Sequence, residues 1–414
     1  MLAAAMVSAA AAVAWLADPA RVLAHAVGEA ASLAGLFTAL GFLREAAETS
    51  ALIHRCGDLM VRQPPGRRYL VLSLGSHLIS LVLNFGVLSL LGVMVMRGNT
   101  AEAAGGDQRV VAVRRQRMMT ALLRGFTVMT VWSPLSVAFA VVQSVVHGLP
   151  WSRLLPLQVG LAALQLALGW LIDRLAFPVH APPAGEAHLD WTPLLRLAAL
   201  IAAVVVAAVA VSEALGVRMV MGAVLVVPPS AFAWLAVQHR ARGAAGAARA
   251  AGEVLASRLV VTLPAFRNEV AMLGGAMFLG TVVAAFIPPD DTARLVAALH
   301  LPPLLLSILL AWSVMALAQI GLSQLVTVTL LAGALADLGR IGIDPLVLAS
   351  GLMGSWALSS CSTPVGAAIL IVARLAGVST ATVARDWNGV YVVTGALLLA
   401  VWMIGLDFIL SHGG

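Results

Sequence analysis

The chain has no lysine, two cysteines and two tyrosines, and Asp, Glu, Lys and Arg together make only 11% of its 414 residues. A soluble globular domain carries about a quarter of its residues as charges. With so few, a water-facing surface cannot be covered. Cys56 and Cys361 fall in different kinds of segment and match no metal spacing, which argues against a zinc site and a disulfide. The net charge of +6 rests on Arg alone, gathered in short stretches between apolar runs. It reads as membrane topology, not as a nucleic-acid surface. No Walker, GxSxG, HExxH or GxGxxG motif stands in a suitable context. Ser362 and Cys361 have no base nearby in sequence, so the expectation is a non-enzyme without a cofactor.

What the chain does have is apolar length: 61% of its residues are hydrophobic and its mean hydropathy is +0.98. Apolar stretches run at about 2–17, 27–43, 69–96, 126–147, 154–177, 192–212, 217–237, 268–287, 303–336, 346–373 and 388–410. Many reach the roughly 18–20 residues that cross a bilayer core. The alternating signature of a barrel is missing, so the spans must be helical, with every backbone group satisfied inside the segment. The expected class is an all-α, multi-pass protein of the inner (cytoplasmic) membrane. Met1–Ala17 lacks a basic leader and reads as a first membrane helix; the alternative is a signal-peptide core.

Arg placement refines the topology. Linker 44–68 carries Arg44, Arg55, Arg62, Arg67 and Arg68, and linker 97–124 carries Arg97, Arg109, Arg114, Arg115, Arg117 and Arg124. Both are expected in the cytoplasm. The 28 residues between them, 69–96, are too few for two spans of about 20 residues each. A re-entrant hairpin with its tip near Asn84-Phe85-Gly86 solves this; one long tilted helix is the alternative. Linker 238–258 is again Arg-rich. Beyond one more span, Pro288-Pro289-Asp290-Asp291 leads to block 303–336, interrupted at Gln319–Gln324 and followed by Asp337, Arg340 and Asp344. This is the pattern of a second hairpin, entering from outside. Opposed hairpins are what inverted repeats produce. The expected units are a first repeat at 1–177, connecting helices and a linker at 178–258, and a second repeat at 259–414.

Each hairpin is followed by an apolar segment with an internal proline, Trp132-Ser133-Pro134 in the first half and Ser362-Thr363-Pro364 in the second. Proline removes a backbone donor and breaks the helix. The exposed helix ends favour anions at N-termini and cations at carbonyls. The candidate substrate site is therefore Asn84, Ser133, Ser323, Gln324, Ser362 and Thr363, built of amides and hydroxyls without a midplane acid. The bland readings are a proline kink, small-residue helix packing at 359–364, and interhelical hydrogen bonds by Asn84 and Gln324. His77 suits a structural hydrogen bond better than a proton carrier.

This order of scaffold helices, an Asn-tipped hairpin and a Pro-broken helix resembles the ion transporter superfamily, which includes divalent anion/sodium symporters, citrate carriers and arsenite antiporters. The tips Leu83-Asn84-Phe85 and Ser323-Gln324-Leu325 stand where that family has Ser-Asn-Thr-like motifs, and the two breaks stand where it has Gly-Thr-Pro-Pro-like motifs. Both tips and the first break depart from those patterns. The resemblance implies an elevator-type secondary transporter of a small, anionic solute, coupled to Na+ or H+ and working as a homodimer, with the lipid bilayer and the solute as its other partners. The alternative function is a channel or a non-transporting membrane scaffold.

Overall fold

The computed structural model describes the chain apart from residues 1, 17, 147, 179–189, 266, 288–293, 295–297, 335–341 and 413–414. The described residues form helices and turns, with no strand. In chain order the helices of the first half are α1 (Leu2–Ala12), α2 (Pro19–Glu48), α3 (Ala51–Val61), α4 (Pro65–Leu83), α5 (Gly86–Gly98), α6 (Gln108–Trp132), α7 (Val137–Val145) and α8 (Trp151–Ala176). Then follow α9 (Thr192–Leu215), α10 (Met219–Gln238), α11 (Gly243–Ala265), α12 (Arg267–Ala285), α13 (Pro303–Gln319), α14 (Gln324–Ala334), α15 (Pro345–Ser360), α16 (Ala367–Ala376) and α17 (Gly389–His412). Among the described residues α2, the interrupted stretch Gln108–Val145, α8, α9, α10 and α17 are long and apolar enough to cross a bilayer. The protein is an all-α, multi-pass membrane protein.

Helix-turn-helix pairs stand at both expected hairpins. The chain reverses between α4 and α5 at Asn84, which takes a positive φ of 49°, and between α13 and α14 at Gly321, with φ of 93°. Glycine adopts positive φ freely, whereas Asn84, with ψ of −129°, lies outside the left-handed helical region that Asn tolerates and so holds a conformation normally left to glycine. Both proline-bearing segments are broken where expected, α6 from α7 at Ser133–Ser136 and α15 from α16 at Cys361–Gly366.

The packing pattern repeats with the halves exchanged. The first leg of each hairpin lies on the first part of its own broken helix, α4 on α6 and α13 on α15. The second leg reaches the other half, α5 on α16 and α14 on α7. The broken helices also cross, α6 against α15 and α16, and α15 against α7. The α4–α6 contact is drawn tight by small residues. A Cβ on Gly125 would collide with the Ser73 carbonyl oxygen, and Ser76 Oγ donates to Leu122 O at 2.8 Å. Small residues let helix backbones approach where lipid gives no hydrophobic drive to associate.

The Arg-rich stretches gather at one end of the bundle. Arg258 pairs with Glu45 at 3.2 Å, Thr49 meets Gln238, and Arg68 shares a cavity with Arg109, Arg114 and Arg117. The linkers themselves are largely helical, unlike the loops expected. The end of α2, α3 and the start of α4 together fill most of 44–68, α11 fills most of 238–258, and α6 starts at Gln108, so most Arg of linker 97–124 lie on a helix. With α6 beginning that early, Arg124 is an interior residue, correcting its assignment to a linker. The first segment is also shorter than expected: α1 and the 3-10 turn Val13–Trp15 span about 21 Å at 1.5 Å per residue, short of a bilayer core. The expected turns at Pro288–Asp291 and at Asp337 and Arg340 lie outside the described residues.

Gly125→Ala is expected to separate α4 from α6 and to cost about 1–3 kcal/mol, as overpacking does. Thermal unfolding in detergent checks this, with Gly28→Ala, where a Cβ meets nothing within 4 Å, as the neutral control.

Candidate functional site

The two breaks have the same architecture and opposite accessibility. At the first, Ser133, Pro134, Leu135 and Ser136 are all buried. Ser133 Oγ accepts from Leu135 N at 3.1 Å, and Ser136 Oγ caps α7 by accepting from Phe139 N at 3.2 Å. The carbonyl of Val131, in the last turn of α6, accepts from Gln158 Nε2 at 2.8 Å. Gln158 Oε1 in turn accepts from Ser350 Oγ at 2.6 Å, and that oxygen accepts from Trp402 Nε1 at 2.9 Å. Every freed group named here finds a protein partner, as burial demands.

The second break is open. Val365 is 64% exposed, and α16 begins at Gly366 without a side-chain cap. Thr363 Oγ1 bonds back to Ser359 O at 2.7 Å, but Ser362 Oγ receives Gln319 Nε2 at 2.9 Å from the hairpin tip. A cavity of about 400 Å³ opens there, lined by Gln319 and Ser362 with Trp312, Met315 and Val392, and with Arg385. Arg385 is exposed and makes no ion pair or hydrogen bond among the described residues. It sits on a π-helical turn, Thr382–Trp387. Such turns recur at functional sites.

A buried arginine holds that turn. Arg124 on α6 is 5% exposed; its Nε donates to Asn388 Oδ1 at 2.9 Å and its Nη2 to Trp387 O at 2.9 Å. Nη1 reaches Tyr69 Oη at 3.1 Å, and the guanidinium lies 4.6 Å from the Tyr391 ring centre. Asn388 Nδ2 closes the turn by donating to Val383 O at 2.8 Å. No carboxylate pairs with Arg124 among the ion pairs of the described residues. Carbonyls, a phenol and an aromatic face carry the charge instead.

Of the six sequence candidates, Ser362 and Thr363 lie at the open break, and Ser362 alone lines the cavity with an outward partner. Ser133 is committed to its own turn. Ser323 is exposed and Gln324 half-buried at the second hairpin tip, whose Gly321 faces Val365 across the break. Asn84 is half-buried at the first tip, where the Phe85 ring packs tilted against Phe126 with ring centres 4.9 Å apart. His77 bonds Gly125 O through Nδ1 at 3.3 Å and accepts from Trp132 Nε1 through Nε2 at 3.0 Å, which fixes the neutral Nδ1–H tautomer. The two breaks meet through α6, where Thr127 Oγ1 lies 3.0 Å from Cys361 Sγ.

Sequence reading missed Arg385, Arg124 and Gln158. Arg385 stands in the polar run Ser379–Asn388, which looks like a connecting loop. Gln158 had a usable signal: with Gln165, Gly169 and Asp173 it marks a stripe along α8, the buried face of an otherwise lipid-like helix.

No family profile and no curated protein matches the chain. Solved structures do. The crystal structure of the YdaH transporter of Alcanivorax borkumensis aligns with a TM-score of 0.55 at 17% identity, over 95% of this chain and 90% of that one. MtrF of Neisseria gonorrhoeae, described among antimetabolite efflux pumps, aligns with a TM-score of 0.55 at 12% identity, over 93% and 85%. The chain shares the fold of these membrane transporters along nearly its whole length.

Asn388→Leu is expected to strand Arg124 Nε and release the π turn, costing about 1–3 kcal/mol of stability. Asn388→Asp keeps the acceptor and is expected to retain most of it. Thermal unfolding of both variants in detergent measures the difference.

Proposed function

We propose that the chain is a secondary active transporter of the cytoplasmic membrane that carries a small anionic solute. One observation carries this reading: an amide–hydroxyl pair, Gln319 and Ser362, lines a cavity whose cation, Arg385, has no partner among the described residues, next to a break at which α16 starts without a side-chain cap. Helix N-termini and guanidinium forks both favour anions. The cavity's Trp312, Met315, Val392 and Val393 suit an apolar or aromatic body behind the charge. The anionic group binds Arg385 and Ser362, and Gln319 orients it.

The exchanged packing supports two inverted repeats with re-entrant hairpins, the arrangement of the ion transporter superfamily. Hairpins and broken helices interlock and would move as one body against a scaffold that includes α2, α9 and α10. That is elevator-type alternating access, with one site presented to each face in turn. Coupling to a Na+ or H+ gradient and a homodimeric assembly belong to the same proposal. MtrF's place among antimetabolite efflux pumps makes anionic antimetabolites the first solutes to try.

Purified protein in proteoliposomes is expected to give saturable uptake of such an anion, accelerated by unlabelled solute on the opposite side. Arg385→Gln and Gln319→Ala are each expected to raise KM by roughly tenfold to a hundredfold, the value of a hydrogen bond to a charged group. Arg385→Lys is expected to retain part of the affinity. Linear flux without counterflow would establish the channel alternative, and wild-type kinetics in Arg385→Gln would remove this cavity as the site.

A further inference from the structure

The Arg-rich end of the bundle holds a second cavity, of about 310 Å³, between the start of α4 and the first turns of α6. Arg68, Arg109, Arg114 and Arg117 line it together with Tyr69, Val110, Val113 and Met118. On α6 these fall on two adjacent i, i+4 rows, Arg109–Val113–Arg117 and Val110–Arg114–Met118, so cationic and apolar groups alternate along one helix face.

Among the described residues the charge in this cavity is balanced only in part. Arg117 is neutralised by a two-pronged pair with Asp173, at 2.9 and 2.7 Å. Arg68 spends only Nε, on Gln63 O at 2.8 Å, and Arg114 only one Nη1 bond, on Ala103 O at 2.8 Å. Arg109 has no side-chain partner among the described residues; Asp107 beside it caps α6 through the backbone nitrogens of Arg109 and Val110. Three guanidiniums therefore face one space with most of their donors unspent. Guanidinium forks match phosphate oxygens. Val113, 40% exposed, and Val110 and Met118 supply an apolar wall that a free inorganic anion cannot use.

We infer that this cavity binds the phosphodiester headgroup of an anionic phospholipid, with Arg68, Arg109 and Arg114 holding the phosphate and the Val110–Val113–Met118 wall taking the start of the acyl chains. Basic pockets between helices on the cytoplasmic side are where such headgroups bind. The site is separate from the Arg385 cavity and stands whether or not transport occurs there.

The test is thermal unfolding of delipidated protein in neutral detergent, supplemented with phosphatidylglycerol or cardiolipin, with phosphatidylcholine, or with inorganic phosphate. The anionic lipids are expected to raise Tm and phosphatidylcholine to leave it unchanged. Arg109→Gln/Arg114→Gln, which spares the Arg117–Asp173 pair, is expected to weaken anionic-lipid binding about 30-fold, at roughly one kilocalorie per cation. Arg109→Lys/Arg114→Lys keeps the charge, guards against a folding defect and is expected to bind within a few-fold of wild type. Equal stabilisation by phosphatidylcholine, full stabilisation by inorganic phosphate alone, or an undiminished response in the Gln variant would each overturn the assignment.

Discussion

Arg124 is the residue on which this structure turns. A guanidinium taken out of water without a carboxylate costs several kcal/mol unless its donors are satisfied. Here the satisfaction comes from far apart in the chain: Tyr69 of the first hairpin, Trp387 and Asn388 ahead of the last helix, and the ring of Tyr391. One charge thus fastens the first hairpin and the first broken helix to the C-terminal π turn. That turn is where Arg385 projects into the candidate cavity. A packing requirement in one half sets the position of a binding group in the other.

The same logic separates the two breaks. Both interrupt a helix at a proline among hydroxyls, but Gln158 and Ser136 bond the buried first break from both sides, while at the second α16 starts without a side-chain cap and Ser362 lines a cavity. Topological symmetry does not impose chemical symmetry. A buried break bonded to its surroundings favours rigidity, because moving it would cost Val131 and α7 their partners. An accessible one leaves Ser362, bonded to Gln319, at the wall of a cavity.

The architecture was legible in the sequence to the extent that it is written in hydropathy and in breakers. The hairpin tips at Asn84 and Gln319–Gln324 and the interruptions at Pro134 and Pro364 stand out because polar or helix-breaking residues are costly in an apolar run. The helical nature of 44–68 and 238–258 was not legible, since amphipathic or Ala-rich helices at a membrane surface carry the same Arg that loops do. Nor was the burial of Arg124. It follows the surface-like run Arg114, Arg115, Arg117 on one helix, and only the distant Asn388 and Tyr391 make its position tolerable. Among the candidate site residues, composition identified the polar clusters but could not tell which hydroxyl spends itself on its own backbone. Ser133 and Thr363 do so, whereas Ser362 also meets a side chain from the facing hairpin.

The distance between Arg124 and its acceptors has a consequence for biogenesis. Asn388 follows Arg124 by 264 residues, which at ribosomal rates of ~5–20 residues per second is on the order of 10–50 s of synthesis. Throughout that interval α6 carries a cation of whose partners Tyr69 is already made, while Trp387, Asn388 and Tyr391 are still to come. A cation in the bilayer interior is costly without its partners, so the full set of contacts that buries Arg124 can close only once the C-terminal segment is made. Final seating of the first half is thereby a late event, contingent on the last helix being made.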